Sequence, residues 1–302
     1  MKNNEIHNPL VSIVVITYNS AKYVLETLES AKSQTYQNIE LIVSDDCSTD
    51  DTVVLCRDWI EKNKGRFVRT KLIESEMNTG ISANCNRGYN AVKGEWIKGI
   101  AGDDVLRPNC ITDNVIGGCA KNVHIQMSKV EILDMGKEQN NTTVPFFYYH
   151  SFLLAKNDFI LLLLYGNFLP AATSFISTNV FRKLGGFDET IPMMEDWPFW
   201  IKAVMNGYTI SFMDSYTVLY RIHPASVSNA SGRSLAYRNS MRLAWEYALI
   251  QQKKKNRLLW VNGLIDYLII CRNYPFSFLL KTMKILNPMT YYIKFLRWKI
   301  SK

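Results

Sequence analysis

The chain has 302 residues, of which 47% are hydrophobic and 21% charged, and its formal net charge is +8. This length and composition exclude a largely disordered chain and allow one large α/β core with an appendage. The six cysteines form no CxxC pair, which favours reduced thiols in a cytosolic compartment over a disulfide framework. The polar N-terminus lacks the apolar core of a signal peptide, and no apolar stretch reaches the ~20 residues that span a bilayer.

The positive charge is concentrated towards the C-terminal end. From residue 230 onward, 14 Lys or Arg stand against two acids, so this segment carries +12 and residues 1–229 carry −4. Basic and aromatic side chains together suit an anionic membrane surface, and a solvated basic helical face is an equally open interpretation. The aromatic residues of the segment include Trp245, Trp260, Tyr274, Phe276, Tyr291, Tyr292 and Trp298.

The first hundred residues predict a parallel sheet with helices between its strands. Continuous apolar, β-branched runs are typical of strands buried on both faces, and segments with helical spacing follow them. This alternation predicts parallel pairing of the strands. The predicted strands lie at 10–16, 39–43, 68–74 and 95–100, and a helix is predicted after each of the first three, the third at 81–92.

The starts of the first two helices are predicted from their capping residues. Asn19 or Ser20 is expected to cap the first helix. Ser48 and Asp51 form a capping-box pattern before the second. The face of the first helix that is expected to be buried consists of Val24, Leu25, Leu28 and Ala31.

The rest of the chain predicts further strands and then helices. We expect the α/β domain to cover residues 9–228, and a helical, basic segment to cover 229–302. Within the domain, strands are expected around 124–133, 173–178, 209–213 and 216–221, and helices around 151–164 and 197–205.

Polar side chains collect where the predicted parallel strands end, which is where such sheets bind ligands. Carboxylates gathered there repel one another unless a cation or polar ligand joins them, and adjacent carboxylates suit Mg²⁺ or Mn²⁺ that also holds phosphate oxygens. The chain has no P-loop and no G-x-G-x-x-G after a strand, so a bound diphosphate would need metal or basic side chains. The residues expected at this edge are Thr17, Tyr18, Asn19, Asp45, Asp46, Asp103 and Asp104.

Two further groups of residues are candidates for catalysis or ligand binding. Glu195 and Asp196 precede an aromatic helix, which either of them could cap, and one carboxylate there could instead act as a general base. Arg221 and His223 lie at the end of a predicted strand, where imidazole can bind metal and guanidinium can pair with phosphate. A structural role for this histidine is the alternative.

Six ordered strings resemble the motifs of family 2 glycosyltransferases with the GT-A fold. The resemblance covers roughly residues 9–228 and implies a Rossmann-like, mostly parallel central sheet flanked by helices, followed by a C-terminal helical, basic appendage. It also implies a UDP-sugar donor, Mn²⁺ or Mg²⁺, and inversion in one displacement, with a β linkage. The strings are VSIVVITYN at 11–19, ELIVSDDCSTDDT at 40–52, NTGISANCNRG at 78–88, GEWIKGIAGDD at 94–104, GGFDE with MMEDWPFW at 185–200, and YRIHPASVS at 220–228.

The resemblance implies a role for each motif residue. Asp104 is expected to be the principal metal ligand, with His223 closing over the metal and diphosphate. Asp103 is expected to lie beside the donor ribose or sugar, as a further candidate metal ligand. Asp196 is the expected catalytic base, beside Glu195. The residues expected to bind the donor nucleotide are Thr17, Tyr18, Asn19, Asp45, Asp46 and Asp103, with Asp46 facing a uracil base.

The chain most resembles bacterial O-antigen or capsule enzymes of this family, which extend a sugar on diphosphoundecaprenol. This resemblance implies transfer of a hexose, glucose before galactose, to an N-acetylhexosamine on that lipid, in lipopolysaccharide synthesis. The expected location is peripheral, on the cytoplasmic face of the bacterial inner membrane. Arg221, Arg233 and Arg238 are candidates for contact with the acceptor diphosphate.

Two other functions stay open on sequence grounds. One is a nucleotidyltransferase that forms nucleotide sugars, although TYNSAK stands where such enzymes have a glycine-rich, arginine-containing loop. The other is a basic nucleic-acid-binding protein. The acidic sheet edge would repel a phosphate backbone, so no nucleic acid partner is expected.

Overall fold

The computed structural model describes residues 8–118, 123–134, 142–143, 147–223, 234–270 and 283–300. The chain divides into two compact units, each built from several segments. The first unit is Met1–Val144, Pro170–Phe187 and Tyr208–Gly232, and the second is Pro145–Leu169, Asp188–Gly207 and Arg233–Lys302.

The domain boundary predicted at residue 228 lies within 224–233, outside the described residues, and stays a prediction. The second unit joins the C-terminal helices with 145–169 and 188–207, two segments that the predicted division placed in the α/β domain.

All strands of the described residues belong to the first unit and to one sheet. They are β1 (Val11–Thr17), β2 (Ile39–Asp45), β3 (Arg69–Glu74), β4 (Trp96–Ala101), β5 (Val105–Leu106), β6 (Ile125–Asp134), β7 (Thr142–Thr143), β8 (Phe175–Ser177) and β9 (Ile210–Ile222). The strand order is β3-β2-β1-β4-β8-β6-β9-β5, with β7 beside β6. The predicted α/β fold class is confirmed.

Parallel and antiparallel pairing occupy different parts of this sheet. Strands β3, β2, β1 and β4 pair in parallel, as predicted, and β6 pairs in parallel with β9. Strand β8 lies between β4 and β6 and is antiparallel to both. Strand β5 pairs antiparallel with β9, and β7 pairs antiparallel with β6. The carboxyl ends of β1, β2 and β4 therefore meet at one edge.

The described helices alternate with the strands and then dominate the second unit. They are α1 (Val24–Lys32), α2 (Thr52–Asn63), α3 (Ile81–Asn90), α4 (Cys110–Gly118), α5 (Phe147–His150), α6 (Lys156–Tyr165), α7 (Thr178–Lys183), α8 (Asp196–Met205), α9 (Leu235–Lys255), α10 (Arg257–Ile270) and α11 (Pro288–Ile300). The predicted helices after β1, β2 and β3 and at 197–205 are confirmed.

Strand β1 is buried on both faces, as its apolar run predicts. Val11, Ile13 and Val15 belong to a core cluster that includes apolar residues of α1 and α2. On the opposite face, α3 approaches so closely that a Cβ at Gly88 would lie 2.6 Å from Val14 Cγ1. The strand is therefore enclosed by helices on either side of the sheet.

The start of α1 differs from its prediction. The helix begins at Val24, because the Asn19 backbone is left-handed at φ 51° and its side-chain carbonyl accepts the Thr49 N–H at 2.8 Å. Leu25 is exposed, whereas Thr27 is buried and donates its hydroxyl to the Asp104 carbonyl at 2.7 Å.

The capping box predicted for α2 is also wrong. The Ser48 hydroxyl donates to Asp45 at 2.5 Å and accepts the Asn19 N–H, so it joins two loops and does not cap the helix. The Asp51 side chain at the N-cap of α2 makes no capping hydrogen bond.

The two strands predicted at 209–213 and 216–221 form one strand, β9. Its register against β6 shifts beside Ser128, Lys129 and Val130, and Asp214 and Ser215 lie within the irregular stretch. A β-bulge keeps a strand continuous while interrupting its alternation, which explains why the sequence pattern breaks there.

The described part of the second unit is helical. Trp197 of α8 is buried, donates its indole N–H to the Leu163 carbonyl at 2.8 Å, and packs edge-on against Trp245 of α9 at 5.2 Å between ring centroids. Gln252 of α9 donates to the Leu164 carbonyl at 2.7 Å. Among the described residues, no helix combines the length and apolar character required to cross a membrane.

Candidate active site

Hydrogen bonds tie together the loops that follow β1 and β2. The buried Thr17 hydroxyl donates to Asp45 Oδ2 at 2.7 Å, and the same carboxylate accepts the N–H and hydroxyl of Ser48. Ser48 in turn accepts the Asn19 N–H at 2.8 Å. Of the predicted nucleotide-binding residues Thr17, Tyr18 and Asn19, the last two are exposed, Tyr18 by 50%. Thr17 and Asp45 are buried and support this edge of the sheet.

Asp46 organises the segment before α3. Its carboxylate accepts hydrogen bonds from the Thr79 hydroxyl and the Gly80 N–H, both at 2.8 Å, and from Arg87 at 2.5 Å. Both oxygens therefore have partners inside the unit, and its contact with a uracil base stays a prediction. Arg87 was not predicted as a site residue, and its spacing in α3 gave no sign of a partner after β2.

The two aspartates after β4 have different surroundings. Asp104 is 1% exposed, and its Oδ1 accepts the Arg221 backbone N–H at 2.8 Å. Its Oδ2 is buried and has no hydrogen-bond partner among the residues that the structure describes. Burial, together with the charge of Asp103, raises the pKa of Asp104 well above its usual range. Asp104 thus supports the turn from inside the fold.

Asp103 is partly exposed and faces His223. His223 Nε2 lies 3.0 Å from Asp103 Oδ2, and the imidazole lies 5.1 Å from the Tyr23 ring between centroids. Asp103 follows β4, whereas His223 directly follows β9. The sheet therefore brings together two predicted site residues that are separated by 120 positions in the chain.

Arg221 connects this pair to α1. Its Nε–H donates to the Asp103 carbonyl at 2.7 Å, and its guanidinium donates to Glu26 at 2.6 Å and lies over the Tyr23 ring at 4.6 Å. Arg221 is only 4% exposed. This burial disfavours the predicted contact with an acceptor diphosphate.

The other two arginines predicted for that diphosphate have separate outcomes. Arg238 is exposed on α9, and its contact stays a prediction. Arg233 lies outside the described residues.

The pair Asp103 and His223 can contribute two ligands to a divalent cation. The described residues contain no group of three or more His, Cys, Asp or Glu side chains arranged for a metal. Mg²⁺ is commonly bound by one or two protein side chains while substrate phosphates and waters complete its coordination. Asp103 and His223 would supply one carboxylate and one imidazole to such an ion, and phosphate oxygens and waters would complete its coordination.

Glu195 and Asp196 belong to the second unit. Asp196 opens α8, and its Oδ2 accepts the Asn167 side-chain N–H at 2.8 Å. Burial raises the pKa of Asp196, and burial with the neighbouring charge raises that of Glu195 to about 8. A carboxyl group with a raised pKa is a stronger base, which suits it to accept a proton from a hydroxyl group. Asn167, which orients the Asp196 carboxylate, was not predicted because it comes from a different segment.

Comparisons with known proteins assign the family. Residues 12–115 match the model of glycosyl transferase family 2. An uncharacterized glycosyltransferase of Rickettsia prowazekii is 30% identical over 233 residues, which cover 76% of this chain and 69% of the relative. One from Haemophilus influenzae is 30% identical over 227 residues, covering 73% and 68%.

Solved structures share the fold at low sequence identity. The 1–349 chain of Staphylococcus aureus TarS in complex with UDP is 19% identical with a TM-score of 0.63, and the match covers 96% of this chain and 88% of that chain. The mannosyltransferase PcManGT of Pyrobaculum calidifontis, in complex with GDP-Man and Mn²⁺, is 16% identical with a TM-score of 0.58, covering 98% and 74%. The chain belongs to glycosyl transferase family 2 and has the GT-A fold.

Proposed function

We propose that this glycosyltransferase transfers a hexose from a UDP-sugar to a lipid-linked sugar, with Mn²⁺ or Mg²⁺ at the donor diphosphate. The observation that carries the proposal is the contact between Asp103 and His223 beside the ends of β4 and β9. A carboxylate and an imidazole at this edge give a diphosphate-bound cation its protein ligands, in a chain without a P-loop.

The donor nucleotide is proposed to be UDP. TarS has been solved with UDP and with UDP-GlcNAc, which supports a nucleotide-sugar donor on this fold. The exposed Tyr18 ring, directly after β1, can pack against a nucleotide base or ribose. Asp46 supports the same site by holding the segment at Thr79 and Gly80.

The metal is proposed to bind mainly to Asp103 and His223. When bound, the ion neutralises charge on the diphosphate as the bond to the sugar breaks. The assignment of Asp104 as the principal ligand stays a prediction, since Asp104 is buried and already accepts the Arg221 N–H. We propose that Asp104 chiefly orients the turn that presents Asp103.

Asp196 is proposed to be the general base. The raised pKa of this carboxyl group suits removal of a proton from the acceptor hydroxyl, and the hydrogen bond from Asn167 orients it. With one base, the attacking oxygen displaces UDP directly, the sugar–phosphate bond breaks, and the anomeric configuration inverts to a β linkage. The proton passes from the hydroxyl to Asp196.

The acceptor is proposed to be an N-acetylhexosamine on diphosphoundecaprenol, with glucose as the favoured donor sugar and galactose next. This assignment comes from the resemblance to O-antigen and capsule enzymes and from the basic, aromatic C-terminal segment. Such an acceptor places the reaction at the cytoplasmic face of a bacterial inner membrane.

An assay of the purified protein against several UDP-sugars tests this function. With a synthetic lipid-diphosphate N-acetylhexosamine and Mn²⁺, we expect UDP release and a disaccharide-lipid product from UDP-glucose, and none in EDTA. Asp196→Asn should keep donor binding and lose turnover by ~10²-fold or more, whereas Asp58→Asn, on the exposed surface of α2, should match the wild type. Formation of UDP-sugar from UTP and a sugar phosphate would instead show a nucleotidyltransferase.

A further inference from the structure

Helix α11 is apolar on two different faces. Met289, Ile293 and Leu296 are buried, and their spacing of four and three residues places them along one side of the helix. This side anchors α11 in the second unit. A surface helix that is only anchored to a core would be polar on its remaining faces.

The other apolar side of α11 is an exposed aromatic stripe. Tyr291, Phe295 and Trp298 repeat the same spacing and are 56%, 50% and 52% exposed. The Phe295 and Trp298 rings lie 5.9 Å apart between centroids. Just before α11, the helical turn at 283–286 adds exposed side chains of Met283, Ile285 and Leu286. Large apolar groups exposed together mark an interaction surface.

Cations flank this stripe. Lys294, Arg297 and Lys299 are exposed, and α11 contains no Asp or Glu. Lys294 Nζ lies 5.8 Å from the centre of the Tyr291 ring, on the border of the aromatic side. Arg297 reaches the other way, with its guanidinium 5.4 Å from the Tyr165 ring within the second unit. Any surface that contacts the stripe would therefore also lie close to the charges of Lys294 and Lys299.

We infer that the aromatic stripe Tyr291, Phe295 and Trp298 docks on an anionic lipid bilayer, with α11 lying in the plane of the interface. Aromatic rings are favoured at the level of the headgroups, and each nearby lysine adds attraction to acidic lipids. A helix lying in the interface needs only this shallow apolar face and a basic border. The inference rests on the proposed function, because a lipid-linked acceptor requires the enzyme to work at a membrane.

Vesicle co-sedimentation tests this surface with the full chain. We expect the wild type to bind vesicles that contain phosphatidylglycerol, and to bind phosphatidylcholine vesicles at least about tenfold more weakly. The triple variant Tyr291→Ser, Phe295→Ser, Trp298→Ser should lose at least about tenfold in affinity for the anionic vesicles. The matched control changes three exposed apolar residues of the first unit, Val54→Ser, Val68→Ser and Ile116→Ser, and should bind as the wild type does.

A second variant keeps the test decisive if the triple variant unfolds. Lys294→Gln with Lys299→Gln leaves both apolar faces intact, and should weaken binding at low salt and reduce its dependence on ionic strength. Unchanged vesicle binding in either folded variant would overturn the inference. The inference would also be overturned if sedimentation velocity showed that the wild type forms a dimer and the triple variant does not. The stripe would then be covered by a second copy of the chain.

The same variants separate this inference from the proposed function. The vesicles contain no acceptor, and transfer to a water-soluble acceptor analogue is measured in parallel. Transfer without stripe-dependent vesicle binding would overturn only the membrane surface. Stripe-dependent binding without transfer of any hexose would overturn only the proposed reaction.

Discussion

At the residue scale, Arg221 connects the two aspartates that follow β4 with α1. Its backbone holds Asp104, its Nε–H holds the Asp103 carbonyl, and its guanidinium meets Glu26 and the ring of Tyr23. The sequence shows that an arginine lies two positions before His223, but these contacts could not be predicted from it. They depend on β9 lying next to the turn after β4, which is a tertiary arrangement.

Replacing Arg221 with lysine should disturb metal use more than folding. Lysine keeps the charge but lacks the planar, multiple-donor geometry that serves Asp103 and Glu26 together. We expect the Mn²⁺ concentration for half-maximal activity to rise by ~10-fold or more, as for residues that orient metal ligands.

The matched control is Arg57→Lys, which alters an exposed ion pair with Glu74. It should leave the metal requirement unchanged, since exposed pairs contribute little. An Arg221→Lys enzyme with normal metal dependence and only a lower melting temperature would show that Arg221 is structural.

The pair Glu195 and Asp196 predicts a pH-dependent stability. The pKa of Glu195 is raised to about 8 by burial and by the neighbouring Asp196, so the folded state favours its neutral form. Stability from this group is complete below its ordinary pKa near 4.5 and is lost as the pH rises through about 8. Glu195→Gln should therefore melt near the wild-type temperature at pH 5 and above it at pH 9.

Differential scanning fluorimetry from pH 5 to 9 measures this difference. The control Glu76→Gln changes an exposed glutamate and should follow the wild type throughout. A Glu195→Gln curve parallel to that of the wild type at every pH would contradict the burial argument.

At the element scale, hydrophobic patterns sufficed for β1 and β2, because strands buried on both faces carry a run of apolar residues in place of an alternating pattern. Hydrophobic patterns failed where polar residues are buried because they make hydrogen bonds to other elements. Thr27 lies on the buried face of α1 because it donates to the Asp104 carbonyl, and the Ser30 hydroxyl accepts the Leu106 N–H at 3.0 Å. Leu25, the apolar residue that was predicted to lie on this face, is exposed.

The contact of α3 with the sheet gives a packing prediction. A Cβ at Gly88 would lie 2.6 Å from Val14 Cγ1 and 3.2 Å from Ser44 Cβ, inside a closed contact. Gly88→Ala should therefore destabilise the protein by about 1–3 kcal/mol through overpacking. Chemical denaturation measures the change in free energy of unfolding.

Gly65→Ala is the matched control, since no atom lies within 4 Å of the added Cβ. It should change the unfolding free energy by less than about 0.5 kcal/mol. Equal effects of the two substitutions would mean that α3 does not pack against β1 as closely as described.

At the scale of the whole molecule, the sequence predicted the α/β class and most of the residues at one sheet edge, since parallel strands bring their carboxyl ends together. The resemblance assigned the metal mainly to Asp104 and the donor ribose or sugar to Asp103, and the sequence did not reveal how differently the two side chains are surrounded. Adjacent residues in a turn point differently, and only the fold shows that one is buried against Arg221 and the other faces His223. The contact between Asp103 and His223 joins residues 120 positions apart, so the local motif could not predict it.

Calorimetric titration with UDP, in Mn²⁺ and in EDTA, tests the proposed metal-assisted donor site most directly. The wild type should bind UDP at least about tenfold more tightly with Mn²⁺. Asp103→Asn should bind it weakly and equally under both conditions, because its amide is a poorer metal ligand beside His223. Equal affinity of the wild type with and without the metal would contradict the account.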